Sequence, residues 1–99
     1  MTIGINRTAD QTVVALAGRL DTVTAPALEK TVSCDIEGTQ NLVLDFKKLE
    51  YISSAGLRVL LGAQKKMQKI GSMKLINVCE EVFEVFEMTG FSDVLKIDK

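Results

Sequence analysis

Three times along this chain an apolar, strand-like run gives way within a few residues to a run of helical period. Residues 12–17 precede a helical pattern over residues 22–36, residues 42–46 precede one over 55–70, and residues 74–78 precede one over 80–88. A strand followed by a helix returns beside its predecessor through a crossover, so such alternation argues for a mainly parallel sheet. Two flanking runs complete the pattern. Ile3 and Ile5 alternate with Gly4 and Asn6, as in a short half-buried strand, and residues 94–97 read as a terminal strand. The expected order is β-β-α-β-α-β-α-β. The fold class is α/β, a single-layer mixed sheet of four or five strands with about three helices. At 99 residues the chain is expected to be one domain, residues 1–99.

Local chemistry sets the expected boundaries. The first two strands are close enough for an antiparallel hairpin, and the second, apolar on both faces, is expected in mid-sheet. Gly18 to Asp21 is expected to leave the sheet. Thr24 is placed to cap the first helix, Pro26 suits its first turn, Leu28, Val32 and Ile36 share one face, and Gly38 is the natural stop. In the second helix Leu57, Leu60, Leu61, Met67 and Ile70 are expected in the core. Arg58, Lys65 and Lys69 lie outside, and Lys65, Lys66 and Lys69 suit the negative end of the helix dipole before Gly71. The third helix turns Val82, Phe83 and Phe86 inward, with Glu80, Glu84 and Glu87 as an outer stripe and Gly90 at its end.

Composition removes several function classes. There is no histidine, which excludes Ser-His and Cys-His catalysis and the commonest metal ligand. Neither a G-x-S-x-G elbow, a phosphate-binding G-x-x-x-x-G-K-[ST] loop nor a G-x-G-x-x-G turn is present. Cys34 and Cys79 form no metal-like cluster and read as reduced buried thiols. Asp21 and Asp45 could approach each other at one sheet edge, a weak metal signal. A net charge of −1 offers no general attraction for nucleic acid or anionic membrane. No apolar run approaches the ~20 residues of a membrane span. No secretory leader is evident, so the expected location is cytoplasmic. No enzyme activity, cofactor or metal is expected.

What remains is the segment Leu49-Glu50-Tyr51-Ile52-Ser53-Ser54-Ala55-Gly56-Leu57, where strand changes to helix. A serine here can cap the helix, because its hydroxyl oxygen accepts a free amide of the first turn. The same amides and the positive end of the dipole suit a phosphate. Gly56 serves either close approach by a partner or close packing of the helix. Asp21 either contacts a partner or caps its own loop, and Arg58, one turn beyond Ser54, either pairs with a partner carboxylate or the phosphate or is simply solvated.

Four stretches together carry a resemblance: Gly18-x-Leu20-Asp21, Leu42-Val43-Leu44-Asp45-Phe46, Tyr51-Ile52-Ser53-Ser54-Ala55-Gly56-Leu57 and Val85-Phe86-x-x-Thr89-Gly90-Phe91. Over nearly its whole length the chain resembles a STAS domain of the anti-sigma-factor antagonist family. The resemblance implies a switch. The unmodified domain binds an anti-sigma factor that is also an ATP-binding serine kinase, which frees the sigma factor. Phosphorylation of one serine dissolves the complex, and a metal-dependent serine phosphatase resets it. The acceptor, two residues before the glycine, falls on Ser54, with Ser53 the alternative, because Ser53 stands where the family usually has Asp. Asp21, Ser53, Ser54, Gly56 and Arg58 are the implied partner-binding residues. A rival reading keeps the fold but makes the chain a constitutive interaction subunit, as in lipid-transport or signalling assemblies.

Overall fold

The computed structural model describes residues 1–34 and 39–98. Ile36 and Gly38, the expected last core contact and stop of the first helix, lie outside them, as does the side chain of Cys34. Five strands, β1 (Thr2–Arg7), β2 (Gln11–Leu20), β3 (Asn41–Ile52), β4 (Ser72–Ile76) and β5 (Ile97–Asp98), form one sheet in sequential order. Three helices, α1 (Ala25–Cys34), α2 (Ser54–Ile70) and α3 (Glu80–Thr89), make the connections. β1 and β2 pair antiparallel, and every later pair is parallel. The expected mixed, mainly parallel architecture is the one observed.

The main departure from expectation lies in β2 and β3, which run much further than their unbroken apolar stretches. The parallel register passes from Ala15↔Asp45 to Ala17↔Lys48 and from Gly18↔Leu49 to Arg19↔Tyr51, so β3 carries two extra residues. Side chains alternate faces along a strand, and each extra residue flips that alternation. Leu42, Leu44 and Phe46 are buried, then Leu49, then Ile52. The bulges turn Leu49 and Ile52 into the core, and the broken period is why residues 47–52 do not read as strand. Gly18, expected to lead out of the sheet, lies inside β2 beside a bulge, with φ of 98°. β2 is covered on one face only. Thr12, Val14, Leu16 and Leu20 are buried, whereas Ala15 is exposed.

The core closes between sheet and helices through Leu28 of α1, Leu60 and Met67 of α2, Leu75 of β4 and Phe86 of α3, all fully buried. The rings of Phe46 and Phe86 stack with centroids 6.4 Å apart. Leu61 and Phe83 are half-buried. Ile70 is 48 % exposed, because the last turn of α2 projects past the core. Lys66 does not serve its own helix end: its Nζ donates to the carbonyls of Val32 and Ser33 at 3.3 and 3.2 Å, satisfying the last turn of α1. β4 ends two residues earlier than expected, where Asn77 takes φ of 57°. Gly90 is left-handed at the end of α3, a 3-10 turn at Phe91–Asp93 follows, and β5 is correspondingly short. No helix among the described residues is long and apolar enough to cross a membrane.

Candidate functional site: a serine at the tip of a helix

The last rung between β2 and β3 pairs Leu20 with Ile52, and the Ser53 N–H then donates to the Leu20 carbonyl at 2.8 Å. Two connections leave the sheet side by side from this point, at the carboxyl ends of parallel strands where open α/β sheets collect functional groups. One is the Asp21 loop and the other is the serine turn.

Asp21 builds its own loop. Its Oδ1 accepts the N–H groups of Val23 and Thr24 at 3.0 and 3.1 Å, and its carbonyl accepts Ala25 N–H at 2.8 Å. Thr24, expected to cap α1 with its side chain, turns back instead: its hydroxyl donates to the Arg19 carbonyl at 2.8 Å and accepts Asp21 N–H at 2.9 Å. The result is a pre-ordered loop with Val23 86 % exposed at its tip. The Thr24 amide above all, then the Thr24 hydroxyl, the Val23 amide and the nearby Arg19 guanidinium, hold the Asp21 carboxyl below its ordinary range, although desolvation opposes them. A carboxylate favoured in the folded state contributes its stability above the ordinary carboxylate range and loses it as pH falls through the depressed folded value. The stability difference between wild type and Asp21→Asn is therefore expected to shrink as pH is lowered below about 4 in denaturant titrations. A difference that grows with acidity would contradict this charge account.

The serine turn separates its two hydroxyls. Ser53 holds the N-cap position with extended backbone, φ −103° and ψ 175°, yet its side chain makes no capping bond, and its Oγ is buried without a hydrogen-bond partner among the described residues. The expected cap bond is thus absent at α2. Ser54 is the first residue of the helix and is exposed, and among the described residues no side chain caps the turn it begins. Gly56 is buried: a Cβ there would meet Leu20 Cγ at 2.7 Å and Ile52 Cγ1 at 3.0 Å. The missing side chain lets α2 settle onto the strand ends, which places Ser54 at the rim. Arg58 is exposed, and among the described residues no hydrogen bond or ion pair engages it.

Of the expected residues, Asp21, Ser53, Ser54 and Gly56 gather at this edge, with Arg58 one turn along α2. Asp45 does not join them. It lies five rungs of the β2–β3 ladder before Ile52, roughly 17 Å away at the rise of a strand, and accepts from Lys47 N–H and Asn77 Nδ2 at 3.0 Å each. Among the described residues no three Asp, Glu or Cys side chains cluster as metal ligands. Sequence reasoning missed one pair here: the Arg19 guanidinium stacks 4.2 Å from the Tyr51 ring centroid. The two are cross-strand neighbours only because both bulges precede them. The edge offers an exposed serine, an acidic loop ordered by its own hydrogen bonds, an arginine stacked on an aromatic ring and an exposed arginine with no ion-pair partner among the described residues.

The comparisons with known proteins agree with this construction. The model of the STAS domain family matches residues 2–99. The anti-sigma-B factor antagonist of Bacillus subtilis is 30 % identical over 96 residues, covering 96 % of this chain and 88 % of that protein. A crystal structure of an anti-sigma factor antagonist from Mycobacterium paratuberculosis superposes with a TM-score of 0.89 at 24 % identity, over 98 % of this chain and 84 % of that one. The Bacillus antagonist SpoIIAA shares the fold in its unphosphorylated form, with a TM-score of 0.85 at 20 % identity over 99 % of this chain and 89 % of that one. Its phosphorylated form gives 0.77 at 20 % identity, over 99 % and 92 %. The helix-tip serine, the sequential five-stranded sheet and the match over residues 2–99 lead to one assignment: the chain belongs to the STAS domain family, with the anti-sigma-factor antagonists as its relatives.

Proposed function

We propose that the chain is an anti-sigma factor antagonist that works by partner switching. Its unmodified form binds an ATP-binding anti-sigma factor with serine kinase activity through the Asp21 loop and the Ser53–Ser54 turn. Transfer of phosphate to Ser54 ends the complex, and a metal-dependent serine phosphatase restores the starting state. The observation that carries the reading is the exposure of Ser54 as the first residue of a helix whose N-cap side chain makes no capping bond. Ser53 is the poorer acceptor, because its Oγ is buried.

The role demands no catalysis from the chain itself. A kinase supplies the base, the ATP and the metal, and the antagonist supplies a reachable hydroxyl on a rigid mount. The test is to form the complex with each ATP-binding anti-sigma factor encoded in the same genome and add ATP with magnesium. The wild-type complex is expected to fall apart on a gel-filtration column, while the Ser54→Ala complex persists. A complex that forms tightly and ignores ATP would favour the constitutive interaction subunit instead.

A further inference from the structure

We infer that Arg58 captures the phosphate once Ser54 is modified, so that phosphorylation withdraws a cation from the docking face as well as adding a dianion to it. The inference rests on the reading of Ser54 as the modified residue. Ser54 is the first helical residue of α2, and the first bond of the helix, Leu57 N–H to Ser53 carbonyl, is formed at 3.0 Å. Ser54 and Arg58 are thus four apart within regular helix, on one face and about 5–6 Å apart at Cβ. Helical side chains lean toward the N-terminus, so the Arg58 stem points back over the turn that Ser54 begins. An anion N-terminal to a cation at this spacing is the favoured order, and a guanidinium meets a phosphate with two parallel hydrogen bonds.

The surroundings leave Arg58 free for this. Among the described residues it has no ion-pair partner, and both it and Ser54 are exposed. It lines a groove of about 510 Å³ between α1 and α2, together with Glu29 and Lys66. Lys66 is already committed to the end of α1, and Glu29 makes no ion pair among the described residues. Arg19 is held over Tyr51 beside Asp21. Asp21 in its loop, the exposed Glu50 on β3 and Glu29 in the groove are anions and cannot neutralise a phosphate. Lys65 and Lys69 stand further along α2. Arg58 is the cation that a phosphate on Ser54 meets first.

The experiment installs phosphoserine at position 54 during synthesis, so that it does not depend on any kinase, and follows its second ionisation by phosphorus NMR. In the wild-type chain that ionisation is expected about 0.2–0.4 pH unit lower than in Arg58→Gln, with Arg58→Lys between the two. Lys65→Gln, which removes the same charge from the same helix beyond reach, is expected to titrate like wild type. The Arg58 difference is expected to collapse in 1 M salt. Identical titrations for wild type and Arg58→Gln, or an equal displacement in Lys65→Gln, would overturn the pairing. A chain that shows the pairing but is never phosphorylated by an anti-sigma partner would instead overturn the functional reading and leave the pairing intact.

Discussion

Phosphate on Ser54 is expected to weaken binding to the anti-sigma partner several-hundred-fold while leaving the domain folded. The modification adds about −1.5 to −2 charges at pH 7. Within the domain that charge falls on an exposed first residue of α2, at an opening turn that no side chain caps among the described residues. A helix N-terminus favours an anion by about 0.3–1 kcal/mol. The melting temperature should therefore hold or rise by roughly 1–8 °C. Against a partner surface the sign reverses, because like charges brought together across an interface cost several kcal/mol. At 1.4 kcal/mol per factor of ten, ~3–4 kcal/mol gives the several-hundred-fold loss. Ser54→Asp, with half the charge and a shorter reach, should show the same direction with a smaller loss, about tenfold. Thermal melts and calorimetric titration of the same samples separate the two effects. Loss of binding accompanied by a lower melting temperature would mean that the phosphate acts by unfolding.

At the opposite end of the sheet, Gly71→Ala is expected to destabilise the fold by about 3 kcal/mol or more, the upper end of the range for forced overpacking. Gly71 closes α2, with its N–H donating to the Met67 carbonyl at 2.7 Å. The next residue, Ser72, donates its N–H to the Gln40 carbonyl at 2.8 Å, and Gln40 in turn donates its N–H to the Asp10 carbonyl at 3.1 Å. Three connections thus meet at Gln40, through its N–H on one side and its carbonyl oxygen on the other. A Cβ on residue 71 would stand 1.8 Å from that oxygen, and no rotamer change can move a backbone carbonyl aside. The helix end must swing away and break the Ser72 bond. At this chain length the loss corresponds to a fall of roughly 12–24 °C in Tm. Gly62 makes the contrast within the same helix. Nothing lies within 4 Å of a Cβ there, so Gly62→Ala should raise stability by about 0.5–1 kcal/mol. A Gly71→Ala melt within two degrees of wild type would refute the packing argument.

Much of this was legible beforehand, for physical reasons that differ from place to place. The alternation of strand and helix is a strong periodic signal, and so the parallel sheet, the three helices and the core positions Leu28, Leu60, Met67, Val82 and Phe86 emerge from sequence. Gly90 was legible because a left-handed helix end favours the residue without a Cβ. The bulges were not, since an inserted residue erases the period that announces a strand. That is why Leu49 and Ile52 read as loop, and why Arg19 and Tyr51 could not be paired. Gly56 was open between partner approach and close packing. The contact with Leu20, a residue 36 positions away in sequence, assigns it a packing role. Thr24 and Ser53 show the limit of capping rules: both sit where a cap belongs, and neither side chain makes the bond. A hydroxyl's choice among nearby acceptors depends on loop geometry that residue type does not encode.

The central claim concerns one hydroxyl, and mapping the phosphate tests it most directly. After incubation with the cognate anti-sigma kinase and ATP, intact-mass spectrometry is expected to show a single added phosphate, and peptide fragmentation is expected to place it on Ser54. Phosphate on Ser53 or elsewhere, or an unmodified chain after the partner has bound and released it, would contradict the account.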